Sequence, residues 1–295
     1  MEPSLPRAMA GEAGADLRSR SFQLAMIQMR VDGGAVKTNL DRASRRLEAA
    51  RAAGADVALL PEAVDLGWTH PAALTEARPI PDGEPCRRLA ADARKHGLLV
   101  CAGLTERAGD RVYNAAVLIS PAGEVILHHR KLNELEIGHA CYAQGDRLGV
   151  VETAFGRFGL MICSDAFVRG QTVGRTLGLM GADVILSPCA WAVPADHDNT
   201  REPYGALWLE NYGPVARDFR LWIAGVSNVG PITAGPWCGR KCIGNSLLID
   251  PAGQTARCGP HGEAAETILH AGIRTVPRPA RAAGWEAVWG ENRGP

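Results

Sequence analysis

Three ionisable residues stand just past the ends of apolar runs of strand length. Glu62 follows Val57-Ala-Leu-Leu-Pro61, Lys131 follows Val125-Ile-Leu-His-His-Arg130, and Cys163 follows Gly159-Leu-Met-Ile162. The carboxyl ends of strands are the usual ligand crevice of α/β proteins. A carboxylate, an ammonium and a thiol converging there form a nucleophilic site. The carboxylate takes a proton from the thiol or from a later water. The ammonium lowers the thiol pKa and then stabilises an oxyanion. The thiolate attacks a carbonyl or nitrile carbon. Lysine is scarce here: the chain has only Lys37, Lys95, Lys131 and Lys241 among its 32 basic residues, so each has a specific place to explain.

The elements that position these residues can be read from the pattern. Strand-like runs cover Phe22–Met29, Val57–Leu60, Leu98–Leu104, Val112–Ile119, Val125–Leu127, Gly159–Cys163, Val184–Leu186, Leu221–Val226 and Ser246–Ile249. Their β-branched content and flanking Gly and Pro favour strands over short buried helices. Helical spacing predicts Asn39–Ala53, capped by Thr38 or Asn39 and closed by Gly54, then Pro85–His96, Gln171–Met180 and Tyr204–Arg217. Ala108-Gly-Asp110, Pro121-Ala-Gly123 and Pro251-Ala-Gly253 read as hairpin turns. Helices alternating with some strands and hairpins joining others predict an α/β protein with mixed sheets and helices outside.

Composition bounds the function. At 295 residues, 46% hydrophobic and 22% charged, the chain can bury a sizeable core unaided. Its formal net charge of zero argues against nucleic-acid or acidic-membrane partners, which are bound through excess Lys and Arg. No apolar run reaches transmembrane length. Residues 1–20 lack the continuous apolar core of a secretory signal and read as a disordered leader, with the folded domain over 21–275. The tail, 276–295, carries Trp285 and Trp289 and is expected to dock at a subunit interface. The eight cysteines sit in a long chain with no secretory signal, so they are expected to be reduced thiols of a cytoplasmic protein.

The segments Leu59-Leu-Pro-Glu62, His129-Arg-Lys131 and Gly159-Leu-Met-Ile-Cys163-Ser-Asp165 resemble the three signature segments of the nitrilase superfamily of carbon–nitrogen hydrolases. Phe22-Gln-Leu-Ala-Met-Ile-Gln28, Asn114-Ala-Ala-Val117, Leu186-Ser-Pro-Cys-Ala-Trp191, Val226-Ser-Asn228 and Asn245–Gly253 extend the resemblance from Phe22 to Ile273. It implies an αββα sandwich, a Glu62–Lys131–Cys163 triad, no metal and no organic cofactor. It further implies that the backbone N–H of Ser164 joins Lys131 at the oxyanion. The substrate would be a small linear amide or carbamoyl compound, cleaved through a thioester, and the assembly a homodimer or larger homo-oligomer. The helix after Cys163 is a second interface candidate.

The family pattern is altered in places. Many members have a second Glu about eight positions after the Lys; here that position is His139, with Glu134 and Glu136 nearby. Ala166-Phe-Val-Arg-Gly170 replaces the arginine-bearing segment of members that bind a substrate carboxylate there. Ser164-Asp165 after the Cys resembles the amide-cleaving branches more than the nitrile-cleaving ones. Nitrile hydrolysis, acyl transfer to another acceptor, and an inactive interaction protein remain as alternatives. Trp191 is a pocket wall or packing, and Asn228 a pocket residue. Asp165 is expected to hold the turn after Cys163. His128 and His129 alternate across a strand. Cys238 and Cys242 have the spacing of half a zinc site with no second half. Specificity is expected from the loops Val64–Pro79, Asn133–Tyr142 and Trp191–Pro203.

Overall fold

Strand β1 (Ser21–Gln28) shows how the sequence builds its layers. Successive side chains point to opposite faces. Leu24 and Met26 enter one buried cluster, while Ala25 and Ile27 enter another. The computed structural model describes residues 19–276. The tail with Trp285 and Trp289, and the leader apart from Ser19 and Arg20, lie outside the described residues. Arg20 itself is tied in: its guanidinium donates to Glu152 and to the carbonyl of Thr153.

The first half of the chain runs β1, α1 (Val36–Ala52), β2 (Val57–Leu59), α2 (Ala73–Glu76), α3 (Glu84–His96), β3 (Leu99–Ala108), β4 (Arg111–Ile119) and β5 (Val125–Arg130). The second half runs β6 (Val150–Thr153), β7 (Gly156–Leu160), α4 (Thr172–Leu179), β8 (Val184–Cys189), β9 (Ala192–Val193), α5 (Tyr204–Phe219), β10 (Trp222–Ser227) and β11 (Val229–Pro231). It ends with β12 (Lys241–Ile243), β13 (Leu247–Ile249), β14 (Thr255–Cys258) and β15 (Thr267–Arg274).

Two mixed six-stranded sheets result, ordered β15-β1-β2-β3-β4-β5 and β14-β13-β10-β8-β7-β6, with a small third sheet β11-β12-β9. The large sheets face each other, β1 against β10 and β3 against β8. Leu24, Met26, Leu59 and Leu118 of one meet Phe158, Leu160, Leu186 and Val226 of the other in the central core. The outer face of the first sheet packs on Ala43, Leu47 and Ala50 of α1 and on Cys86, Leu89 and Ala93 of α3. On the second sheet Leu177 of α4 and Trp208, Tyr212 and Val215 of α5 complete the αββα sandwich.

The expected capping of α1 by Thr38 or Asn39 is not what forms. The helix starts at Val36 without a side-chain cap. Asn39 is buried instead and staples the preceding loop, accepting from Asp32 N–H and donating to the Asp32 and Asp65 carbonyls. The three turn glycines behave as expected, with positive φ at Gly109, Gly123 and Gly253. Among the described residues no helix is long and apolar enough to cross a membrane.

Candidate active site

Glu62 lies just beyond β2, where the backbone leaves the sheet through a non-glycine residue at positive φ, Ala63 at 44°. The loop is held against β3: Gly103 N–H donates to the Pro61 carbonyl (3.0 Å) and Val64 N–H to the Gly103 carbonyl (2.9 Å). Gly103 is required by this approach, because a Cβ there would stand 2.5 Å from Glu62 Cα. Glu62 N–H also reaches across to the carbonyl of Cys189 in the other sheet (3.2 Å). Its side chain is fully buried.

Lys131 follows β5 and its N–H donates to the Asn114 carbonyl on β4 (2.8 Å). The buried ammonium donates to Glu62 Oε1 at 2.8 Å and to Glu134 Oε1 at 3.0 Å, and lies over the Trp68 ring. Asn114 Nδ2 bridges the two carboxylates, donating to Glu62 Oε1 at 2.6 Å and to Glu134 Oε2 at 3.0 Å. Trp68 Nε1 and Leu135 N–H also donate to Glu134 Oε1. Glu62 Oε2, by contrast, has no partner among the described residues.

Cys163 opens a short 3-10 turn over Cys163–Phe167, with φ at 44°. A non-glycine residue held there is strained and needs its surroundings to keep it in place. Asp165 supplies them. Its Oδ2 accepts from Ile162 N–H (2.8 Å) and lies 2.8 Å from His129 Nε2, and its Oδ1 accepts from Leu132 and Asn133 N–H. Thus one carboxylate ties the cysteine turn to the loop that follows Lys131. Ser164 adds to the tie: its hydroxyl donates to the Asn133 carbonyl, and its carbonyl accepts from Asn133 Nδ2. Its side chain is thereby committed to structure.

Two buried carboxylates surround one ammonium, and the electrostatics follow. Burial pushes the Glu62 carboxyl up, with Glu134 adding and Lys131 and Asn114 opposing. Burial disfavours the Lys131 ammonium, yet Glu62 and then Glu134 overcome this and hold its pKa well above the ordinary value. Burial, then Cys189 and Glu62, push the Cys163 thiol well up, with Lys131 opposing more weakly. The sequence-based expectation of a thiol with a lowered pKa is therefore corrected. Desolvation, then Cys189 and the flanking carboxylate, outweigh the ammonium.

The other sequence-predicted residues divide. His139 is exposed on the 3-10 turn Glu136–Ala140, as is Glu136; Glu134 is the acidic residue beside Lys131. The family spacing of eight positions pointed to His139, whereas here the carboxylate three residues after Lys131 returns to the ammonium. Trp191 is fully buried and stacks on Trp208 with centroids 4.4 Å apart, so it packs at the strand end. Asn228 lines a cavity with Trp68, His70, Thr233 and Cys242, and its Oδ1 has no partner among the described residues. Trp68 belongs both to this cavity and to the Lys131 cluster. Cys238 is exposed while Cys242 is buried, and all eight cysteines are unpaired. Asn114 and Trp68 were missed as site residues. Asn114 opens the segment Asn114-Ala-Ala-Val117, and Trp68 lies in the loop Val64–Pro79.

The carbon–nitrogen hydrolase family model matches residues 23–277. A nitrilase of Pyrococcus abyssi is 32% identical over 234 residues, covering 78% of this chain and 81% of its own. The chloroplastic omega-amidase of Arabidopsis thaliana is 26% identical, covering 82% of this chain and 66% of its own. An amidase from Nesterenkonia sp. has the same fold, with a TM-score of 0.73 at 20% identity over 92% of this chain and 97% of that one. A glutamate-to-glutamine mutant of that amidase carries the acetamide moiety of fluoroacetamide covalently at its active-site cysteine. With the family match spanning most of its length, the chain belongs to the carbon–nitrogen hydrolases of the nitrilase superfamily and is an enzyme.

Proposed function

We propose that the enzyme hydrolyses small linear amides or carbamoyl compounds through a thioester on Cys163. The observation that carries this reading is the buried Glu62–Lys131 pair, 2.8 Å apart, with the Cys163 turn tied through Asp165 to the loop that follows Lys131. Oε1 of Glu62 is occupied by Lys131 and Asn114, so Oε2 is the oxygen free to take a proton. A carboxylate whose pKa is raised by burial is suited to pass protons near neutral pH.

In the proposed cycle Glu62 takes the thiol proton as sulfur attacks the amide carbon. The oxyanion is met by Lys131 Nζ and the Ser164 backbone N–H; such a donor is worth about 2.7–4 kcal/mol at the transition state. Glu62 returns the proton to the departing nitrogen, the C–N bond breaks, and ammonia or amine leaves the thioester. Water then gives a proton to Glu62 and attacks the same carbon. Collapse releases the acid, and the proton returns to Cys163. Glu134 and Asn114 position Lys131 and Glu62. Asn228, with Trp68 and His70, would line the substrate pocket, with Trp191 supporting it from behind. The names of the Arabidopsis and Nesterenkonia proteins support an amide substrate, while that of the Pyrococcus protein keeps a nitrile as the alternative.

Ammonia release from a panel of linear amides tests the proposal, with acid, amide and nitrile followed by mass spectrometry. Cys163→Ala retaining wild-type activity on any substrate found would remove it. We further propose a homo-oligomer, supported by the exposed Leu179 on α4 and Leu207 and Leu209 on α5.

A further inference from the structure

The hairpin of β11 and β12 closes over the loop that carries Trp68. Gly235 permits the approach, since a Cβ there would strike the Thr69 carbonyl. Trp237 of the hairpin packs edge-on to Trp68, with centroids 5.2 Å apart. The cavity beside them has apolar walls from Val31, Ile232 and Cys242, and polar atoms from Asn228 and His70. Two residues join it to the reacting groups. Trp68 lies under the Lys131 ammonium and donates from Nε1 to Glu134. Asn228 follows Ser227, which pairs with Cys189 across β10 and β8, and the Cys189 carbonyl accepts from Glu62 N–H at 3.2 Å.

The basic residues that adjoin these walls along the chain are committed elsewhere. Arg30, beside Val31, donates to Asp32 at 2.6 Å. Lys241, beside Cys242, donates to the Ala195 carbonyl at 2.6 Å, and the Arg240 guanidinium lies 4.2 Å over the Trp237 ring. His70 Nδ1 accepts from Ala72 N–H, so its ring is neutral, and burial lowers its pKa. Inside the cavity, Asn228 is only 5% exposed and its Oδ1, an acceptor, has no partner among the described residues. Beyond Trp68, the Lys131 ammonium is shared by the carboxylates of Glu62 and Glu134. A substrate carboxylate here would meet an oxygen acceptor and two like charges, and burying it without a partner is costly. An N–H donor would instead satisfy Asn228.

We propose that the enzyme selects short amides whose acyl chain ends in an uncharged group, and rejects those whose chain ends in a carboxylate. The carbons of the chain lie on Val31 and Ile232, and an N–H at its far end donates to Asn228 Oδ1. The selection rests on the proposed cycle to the extent that this cavity takes the acyl chain of the substrate. Succinamide and succinamic acid separate charge from size, because they differ only in an amide in place of a carboxylate. Succinamide is the substrate this cavity accepts. Its first hydrolysis yields succinamic acid, which the cavity refuses, so the reaction stops after one ammonia.

The test is ammonia release by the full chain from each compound, with products followed by mass spectrometry. The expected kcat/KM for succinamide is about a hundredfold above that for succinamic acid, with succinamic acid accumulating. Ile232→Arg places a cation on the half-buried hairpin wall and should narrow that ratio about tenfold. Equal kcat/KM for the two compounds, or a preference for succinamic acid, would overturn the proposal. So would a ratio unmoved in a folded Ile232→Arg; should that variant not fold, the wild-type ratio decides alone. Calorimetry on Cys163→Ala reads the same selection without turnover. If the wild type cleaves neither compound, the cycle through Cys163 fails, while succinamide binding about a hundredfold tighter than succinamic acid keeps the selection standing. Comparable binding of the two, or binding of neither, overturns the selection.

Discussion

Replacing Asn114 by alanine perturbs the site without touching any of the three triad side chains. Asn114 Nδ2 makes two short bonds, 2.6 Å to Glu62 and 3.0 Å to Glu134, and both acceptors are buried. Hydrogen bonds to charged groups contribute about 1.5–3 kcal/mol each. Loss of the Glu62 bond alone at the transition state should lower kcat/KM by about 10–150-fold. The bond also holds the Glu62 pKa down against burial. Glu62 must be ionised to accept the thiol proton, so activity rises with pH through its titration. Removing the donor pushes that pKa higher, and the acid limb of the kcat/KM profile should move to higher pH. The assay is ammonia release across pH on one amide, with circular dichroism confirming the fold. A folded Asn114→Ala with unchanged kcat/KM and an unmoved acid limb would refute the role given to Asn114.

Glu134→Gln should lower kcat/KM while His139→Ala leaves it within twofold, about 0.4 kcal/mol; the reverse order in the same assay would restore His139 to the site. Gly103→Ala forces a Cβ to within 2.5 Å of Glu62 Cα, so it should cost about 1–3 kcal/mol of stability and lower the Tm, and an unchanged Tm would contradict the close approach. Glu106, bound by Arg130 and His128, has its pKa held down to about 2 although its burial opposes this. Its contribution is full above the ordinary carboxylate range and is lost as pH falls toward that value. Urea midpoints of Glu106→Gln should therefore depend less on acid pH than those of the wild type. Light scattering tests the oligomer, and Leu179→Glu should shift it toward monomer; a wild-type monomer with full activity would remove that proposal.

What the sequence disclosed was mostly local. Glu62, Lys131 and Cys163 each follow an apolar run closely enough that the strand end and the reactive residue are read together. The same closeness exposed the turns at Gly109, Gly123 and Gly253. What it hid depends on where the chain returns. Glu134 reaches Lys131 because its loop turns back at once, and residue spacing against a family pattern pointed to His139 instead. Asn114 reaches both carboxylates from β4; the hairpins on either side of β4 were legible, but β3 stands between it and β2, so its bond to Glu62 was not. β15 escapes a sequence reading because only Ala271 and Ile273 of its eight residues are buried and its first half, Thr267–Leu269, does not alternate. It is nevertheless the antiparallel neighbour of β1. The direction of the Cys163 pKa was misjudged for another reason: desolvation is a property of the finished core, while the nearby lysine was visible beforehand.

The account stands on a covalent bond to one sulfur. Acid quenching during turnover, followed by peptide mapping, measures it directly. The peptide containing Cys163 should carry the acyl mass of the substrate, that mass should disappear as substrate is exhausted, and Cys163→Ala should carry none. Steady turnover with no acyl mass on Cys163, together with an active Cys163→Ala, would contradict it.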